Sequence, residues 1–179
     1  MTIPNIITIG RLIIVPFAIM MIAQQQWVSA FLLFVVAGLS DAVDGYIARR
    51  FNMRSKLGSY IDPLADKALL ASIYVTLAVI GNLPVWLAIT VVSRDLMILA
   101  AILVSWLMER PLEIKPLLIS KLNTAAQIGF AALSLGSNAF DFDISTWETA
   151  GMIVVAVLTV ASATAYLAVW MRHVAVSSG

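Results

Sequence analysis

Long apolar runs separated by short polar or proline-bearing junctions organise this chain. The runs span Ile6 to Ala23, Trp27 to Ala48, Tyr60 to Ile80, Leu83 to Leu107, Leu117 to Ser137 and Thr146 to Trp170. Each approaches the roughly 20 apolar residues that a helix needs to cross a bilayer, and in lipid a helix satisfies its own backbone groups. The pattern therefore predicts an all-α membrane protein with six transmembrane helices, in a single integral-membrane domain over residues 1–179. Gln24-Gln25-Gln26, Gly81-Asn82-Leu83-Pro84 and Glu109-Arg110-Pro111 read as tight turns that make successive helices antiparallel. No internal repeat or low-complexity segment interrupts the series.

Composition narrows the class. Hydrophobic residues make up 61% of the chain and charged residues 12%, with a mean hydropathy of +0.98, which leaves no room for a separate soluble domain. A net charge of +1, from 11 basic and 10 acidic residues, supplies no field to recruit nucleic acid. There are no cysteines, so disulfides, thiolate metal sites and cysteine nucleophiles are excluded. The single histidine, His173, reads as a solvated tail residue.

Charge position says more than the sum. Arg49, Arg50, Arg54 and Lys56 follow the second run, Arg110 and Lys115 follow the fourth, and Arg172 lies in the tail. The opposite loops carry no Lys or Arg, and one carries Asp141, Asp143 and Glu148. By the positive-inside rule both termini face the cytoplasm. Met1 to Asn5 has neither a basic n-region nor an Arg/Ser-rich leader, which predicts a retained first span in a bacterial inner membrane.

Four carboxylates stand where lipid is costly. Asp41 and Asp44 lie late in the second run at i,i+3, and Asp62 and Asp66 early in the third at i,i+4, so each pair shares a helical face. At ~1.5 Å per residue they lie within about 3 to 10 Å of the cytoplasmic helix ends. If the two helices are antiparallel neighbours, the pairs form one acidic cup open to the cytoplasm. Insertion scales put each such group at about 2.5–3.5 kcal/mol at the bilayer centre, so the cluster needs protonation, cationic partners or a hard metal. Arg49 and Lys67 neutralise two at most, whereas oxygen-only ligation suits Mg²⁺ or Mn²⁺. A structural salt-bridge cluster is the plainer alternative.

Gly45 and Ala48 expose a bare helix face beside these aspartates. It serves either as a small-residue helix contact or as a surface on which a ligand lies against the backbone. Gly58 precedes Asp62 and reads as a loop residue, with Pro63 in the first helical turn. Arg11, Arg94, Asp95 and Lys121 interrupt other apolar runs. Adjacent Arg94 and Asp95 project about 100° apart and so call for different partners. Arg94 reads as lining a cavity for an anionic group, deeper than the aspartates unless a span end is misplaced. Lys121 either joins it or snorkels to the interface.

Read in order, Asp41-Ala-Val-Asp44-Gly45-Tyr-Ile-Ala48-Arg49, eight residues, Gly58, three residues, Asp62, three residues and Asp66 resemble the signature DxxDGxxAR(x8)GxxxDxxxD without a departure. That is the signature of the CDP-alcohol phosphotransferases, and the resemblance extends over most of the chain. It implies the six-helix fold of that family, commonly a homodimer. It implies metal ligation by Asp41, Asp44 and Asp62, with Asp66 completing the site as general base. It implies a CDP cradle of Gly45, Ala48, Arg49 and Gly58, with Asn5 and Thr8 contributing. The implied reaction is attack of an acceptor hydroxyl on the β-phosphorus of a CDP-linked lipid, CDP-diacylglycerol, releasing CMP.

Ile3-Pro4-Asn5, Ser93-Arg94-Asp95 and Ser120-Lys121-Leu122-Asn123 look most like the cardiolipin-forming branch, whose acceptor is phosphatidylglycerol. The phosphatidylglycerophosphate-forming branch uses glycerol 3-phosphate and tends to have Arg-Glu and Gly-Lys-x-Lys in the latter two places. Here Asp95 and Asn123 stand instead, which fits a less charged acceptor held by Arg94 and Lys121. From a different class, a divalent-cation transporter also places carboxylates in the membrane. The last two runs offer no acidic residue within the membrane to continue such a path.

Overall fold

The computed structural model describes the backbone of residues 3–50, 58–107 and 117–177, and most side chains within these segments. The side chains of 3–8, 41–42, 44–50, 58–66, 106 and 172–177 lie outside the described set. Among the described residues there are six helices and no strand: α1 (Ile3–Ala23), α2 (Trp27–Arg50), α3 (Gly58–Val79), α4 (Val85–Leu107), α5 (Leu118–Phe140) and α6 (Ser145–Ser177).

Helix ends follow backbone hydrogen bonding rather than hydropathy, and this moves several expected boundaries. α3 begins at Gly58, so Gly58 is helical instead of a loop residue and Pro63 is the sixth residue of the helix, past its first turn. α6 runs for 33 residues, about 50 Å at 1.5 Å per residue. His173 is therefore part of a helix rather than a tail.

Three short turns make three hairpins. Gln25 (φ 57°) and Gly81 (φ 84°) both take the left-handed conformation just past a helix end. At the first, Gln26 N–H donates to Met21 O at 2.8 Å and Gln25 N–H to Ile22 O at 2.9 Å. At the second, Asn82 N–H reaches Leu77 O at 2.9 Å and Gly81 N–H reaches Ala78 O at 3.2 Å. Both are Schellman closures, which satisfy the last carbonyls and reverse the chain. Before α6, the Asp143 carboxylate accepts from Ser145 N–H at 2.8 Å and from its hydroxyl at 3.1 Å. These bonds favour the charged form and hold the Asp143 carboxyl below its ordinary range.

The hairpins α1/α2, α3/α4 and α5/α6 then pack through α1 against α3, α2 against α5, α4 against α6 and α3 against α5. α1 and α5 each pack against both α2 and α3, and the side chains of the α2 and α3 segments that carry the signature aspartates, where the two helices are expected to face each other, lie outside the described residues. The tight turns impose pairing where they occur.

Ile22, Ile73, Tyr74, Leu77, Leu87, Val91, Leu135 and Val155 form the fully buried centre, with Phe34 and Phe130 beside them. Phe31 meets Phe140 edge-on at 5.4 Å, fastening α2 to α5. A Cβ on Gly151 of α6 would lie 2.6 Å from Cδ2 of Phe130 and 2.8 Å from its Cε2. Gly151→Ala is expected to force the buried Phe130 ring out of place and cost about 1–3 kcal/mol. A lowered unfolding midpoint in detergent would register it, and an unchanged midpoint would contradict the α5/α6 contact.

The outer surface is apolar. Leu39, Val79, Leu103, Leu107, Leu118, Val157 and many others are more than half exposed. α4 over Val85–Ser105 and α6 over Ser145–Met171 are long and apolar enough to cross a membrane.

Candidate functional site

A cavity of about 370 Å³ opens in the gap between α2 and α3. Phe34, Ala37, Gly38 and Leu39 line it from α2, and Lys67, Leu69 and Leu70 from α3. Arg11 enters from α1, Arg94 and Asp95 from α4, and Thr124, Gln127 and Ile128 from α5. Its wall is largely apolar, with Arg11, Thr124, Gln127 and a cluster of charge formed by Lys67, Arg94 and Asp95.

Arg94 is the centre of that cluster, and its side chain is 4% exposed. Nη1 donates to Asp95 Oδ1 at 2.6 Å. Nη2 donates to the Ser120 hydroxyl of α5 and, at 2.8 Å, to the Ser162 hydroxyl of α6, which also accepts from Nε at 3.2 Å. The guanidinium lies 5.7 Å from the Tyr166 ring centroid. Asp95 Oδ1 is shared, since Lys67 Nζ reaches it at 3.3 Å. A buried charge is tolerable only when paired and hydrogen-bonded in this way.

Two expectations change here. Adjacent Arg94 and Asp95 take different outside partners, Ser120 and Ser162 for one and Lys67 for the other, but also pair with each other, because the long arginine side chain curls back to its neighbour. Lys67, weighed as one of two cations able to neutralise the signature aspartates, is paired with Asp95. The depth of Arg94 is also resolved. It is level with Ser120, the third residue of α5, so the last turns of α4 run on past the start of α5. α6 accompanies α4 there, with Trp170 Nε1 donating to Ser105 Oγ at 3.1 Å.

A second polar seam lies one turn along. Gln127 Nε2 donates to Thr159 Oγ1 at 3.2 Å, and Thr159 in turn donates to Asn123 Oδ1 at 2.9 Å. Asn123 is fully buried against α6 and does not line the cavity. Tyr74 OH donates to the Gln127 backbone carbonyl at 3.0 Å, tying α3 to α5. Sequence reasoning missed Ser120, Ser162, Tyr166 and Asn123 as partners. The run of hydroxyls at Thr159, Ser162 and Thr164 in α6 was the available signal.

The signature residues occupy the helix segments that flank the cavity. Asp41 and Asp44 fall in α2, beginning three residues after cavity-lining Gly38, and Asp62 and Asp66 fall in α3, ending one residue before Lys67. Both helices are continuous there, so the i,i+3 and i,i+4 spacings hold. The side chains of Asp41, Asp44, Asp62, Asp66, Ala48, Arg49, Asn5 and Thr8, and the surroundings of Gly45 and Gly58, lie outside the described residues. Lys121 is exposed and does not line the cavity.

The sequence profile of the CDP-alcohol phosphatidyltransferase family matches residues 1–174. Human cardiolipin synthase (CMP-forming) is 35% identical, aligning with 92% of this chain and 60% of its own length. The rat protein of that name is 34% identical over 99% of this chain and 64% of its own. A Bacillus subtilis CDP-diacylglycerol--glycerol-3-phosphate 3-phosphatidyltransferase is 34% identical over 51% of this chain and 55% of its own. The chain thus spans less than two thirds of each relative, and mammals stand beside bacteria among them, so a bacterial inner membrane gains no support. With the profile match over nearly its whole length, the chain belongs to the CDP-alcohol phosphatidyltransferase family.

Proposed function

We propose that the protein transfers the phosphatidyl group of CDP-diacylglycerol to the hydroxyl of phosphatidylglycerol, giving cardiolipin and CMP. The observation that carries this reading is the cavity, a largely apolar recess holding Arg94, Lys67 and Asp95 and flanked by the signature segments of α2 and α3. A lipid with a charged headgroup needs both parts of that lining.

The donor set of Asp41, Asp44, Asp62 and Asp66, all carboxylates on two continuous helices, fits a hard divalent cation such as Mg²⁺ or Mn²⁺. Bound there, the ion would supply positive charge against the pyrophosphate and the leaving CMP. Asp66 accepts the proton of the attacking hydroxyl as its oxygen bonds to the β-phosphorus and the bond to CMP breaks. Gly45, Ala48, Arg49 and Gly58, with Asn5 and Thr8, cradle the CDP moiety. Arg94, oriented by Ser120 and Ser162, holds the acceptor phosphate, with Lys121 guiding it from the rim.

The setting we propose is a lipid bilayer crossed six times, both termini on the cytoplasmic side, with the homodimer and single domain implied by the resemblance. The apolar outer surface supports this, as do the half-exposed Trp86 and Trp147 near the starts of α4 and α6. A transport path is not favoured, because Ile73, Leu77, Leu87 and Leu135, each at most 1% exposed, fill the bundle interior.

Purified protein given Mg²⁺ or Mn²⁺, CDP-diacylglycerol and either phosphatidylglycerol or glycerol 3-phosphate tests the reaction. CMP release with phosphatidylglycerol is expected. Release with glycerol 3-phosphate alone would instead favour phosphatidylglycerophosphate synthesis, the activity named for the Bacillus relative.

A further inference from the structure

We infer that the acceptor lipid enters the cavity sideways from the bilayer, through an opening between the midpoints of α2 and α5, and keeps its acyl chains in that opening. This rests on the proposed acceptor site at Arg94. The cavity has two unlike ends. Arg11, Arg94 and Gln127, each at most 5% exposed, line its inner end. Gly38 and Leu39 of α2 and Thr124 and Ile128 of α5 also line it, yet all four lie on the outer surface, Leu39 at 61% and Ile128 at 47% exposed. The void therefore passes from the buried charges to the outside between these two helices.

The mouth suits hydrocarbon. Leu39 and Ile128 are apolar, Gly38 has no side chain, and the Thr124 hydroxyl is committed to the Ser120 carbonyl at 3.1 Å. Gly38 and Ile128 each lie close to the middle of their helices, so in a spanning bundle the mouth meets lipid tails rather than water. Depth follows the same order as a lipid of the cytoplasmic leaflet. Arg94 is level with Ser120, and Thr124 and Ile128 follow Ser120 by one and two turns, about 6 and 12 Å further into the membrane. A phosphate held at Arg94 thus has its chains beside the opening. Beyond it the gap shuts, where Phe31 meets Phe140 at 5.4 Å and a Cβ on Gly136 would lie 3.3 Å from Phe31 Cε2. A Cβ on Gly38 would meet no atom within 4 Å, so a larger residue there projects into the opening without displacing a helix.

The test measures equilibrium binding to the full chain in phosphatidylcholine nanodiscs. Gly38→Leu and Ile128→Trp narrow the opening from opposite sides. Each should weaken binding of dioleoylphosphatidylglycerol by about tenfold or more, and leave glycerophosphoglycerol, the same headgroup without chains, within about twofold of wild type. Gly129→Leu, beside Ile128 but off the cavity and also with no atom within 4 Å of its Cβ, should change neither. Unchanged lipid binding in both narrowed variants, an equal loss of lipid and bare headgroup, the same loss from Gly129→Leu, or a loss confined to CDP-diacylglycerol overturns the inference. Binding needs no turnover, so the two readings fail separately. If CMP release fails with both acceptors while the narrowed variants reject only the chain-bearing probe, the proposed activity falls and the lateral opening stands. If the narrowed variants bind phosphatidylglycerol and release CMP from it as wild type does, the opening falls and the activity stands.

Discussion

Asp66→Asn is expected to lower CMP release by about a thousandfold while leaving CDP-diacylglycerol binding within a few-fold of wild type. A positioned base contributes about 10²–10⁴ in rate. Asparagine keeps the side chain's size and an oxygen ligand but cannot take the acceptor proton. Asp41→Asn should behave differently. Asp41 lies on the other helix, 25 positions earlier, and its proposed task is ligation alone. Its loss should raise the divalent-ion concentration needed for half-maximal activity by about tenfold to a hundredfold and weaken nucleotide binding in parallel. Measuring nucleotide affinity and turnover across a metal titration separates the two. Equal and mild effects from both variants would contradict the assignment.

Arg94→Met is expected to destabilise the fold as well as abolish activity. The side chain is 4% exposed and joins α4 to α5 through Ser120 and to α6 through Ser162. Removing it leaves Asp95 buried with Lys67 alone and two hydroxyls without their donor. Breaking one side of a buried charge pair costs about 3–5 kcal/mol. Hydrogen bonds inside membranes are individually weaker, averaging about 0.6 kcal/mol, so a loss near 3 kcal/mol is the expectation. The unfolding midpoint in detergent reads it. Arg94→Lys should keep the charge but lose the simultaneous reach to three partners, giving an intermediate loss. A variant as stable as wild type would mean that the α4–α5–α6 junction is held by something other than this side chain.

The helices themselves were legible in the sequence, because apolar runs interrupted by Gln24-Gln25-Gln26 or Gly81-Asn82 leave little choice of where to turn. Their ends were less so. Gly58 read as a turn residue and His173 as a tail, yet Gly58 opens α3 and His173 lies inside α6. Which helices meet is a long-range property. α1 and α5 each pack against both α2 and α3, and no local spacing encodes that. The charges show the same division. Arg94 and Asp95 were conspicuous as charges inside an apolar run, but a helical-wheel angle describes Cβ directions and ignores an arginine long enough to turn back on its neighbour. Ser162 and Ser120 lie 68 and 26 residues from Arg94. Serines are common in membrane helices for several reasons, so neither announced itself as a partner. The signature aspartates are the reverse case. Sequence spacing assigns them sharply, and the structure contributes the continuity of the two helices that carry them and the recess beside them.

The central claim is that carboxylates from α2 and α3 jointly hold a divalent cation beside the cavity. Mn²⁺ binding to the purified full chain, followed by electron paramagnetic resonance, tests it most directly. Asp44→Asn and Asp62→Asn should each, alone, weaken binding by about tenfold or more, since either helix by itself offers only half the donors. If Mn²⁺ binds one of these variants as tightly as wild type, the two helices do not share the ion, and the account fails at its base.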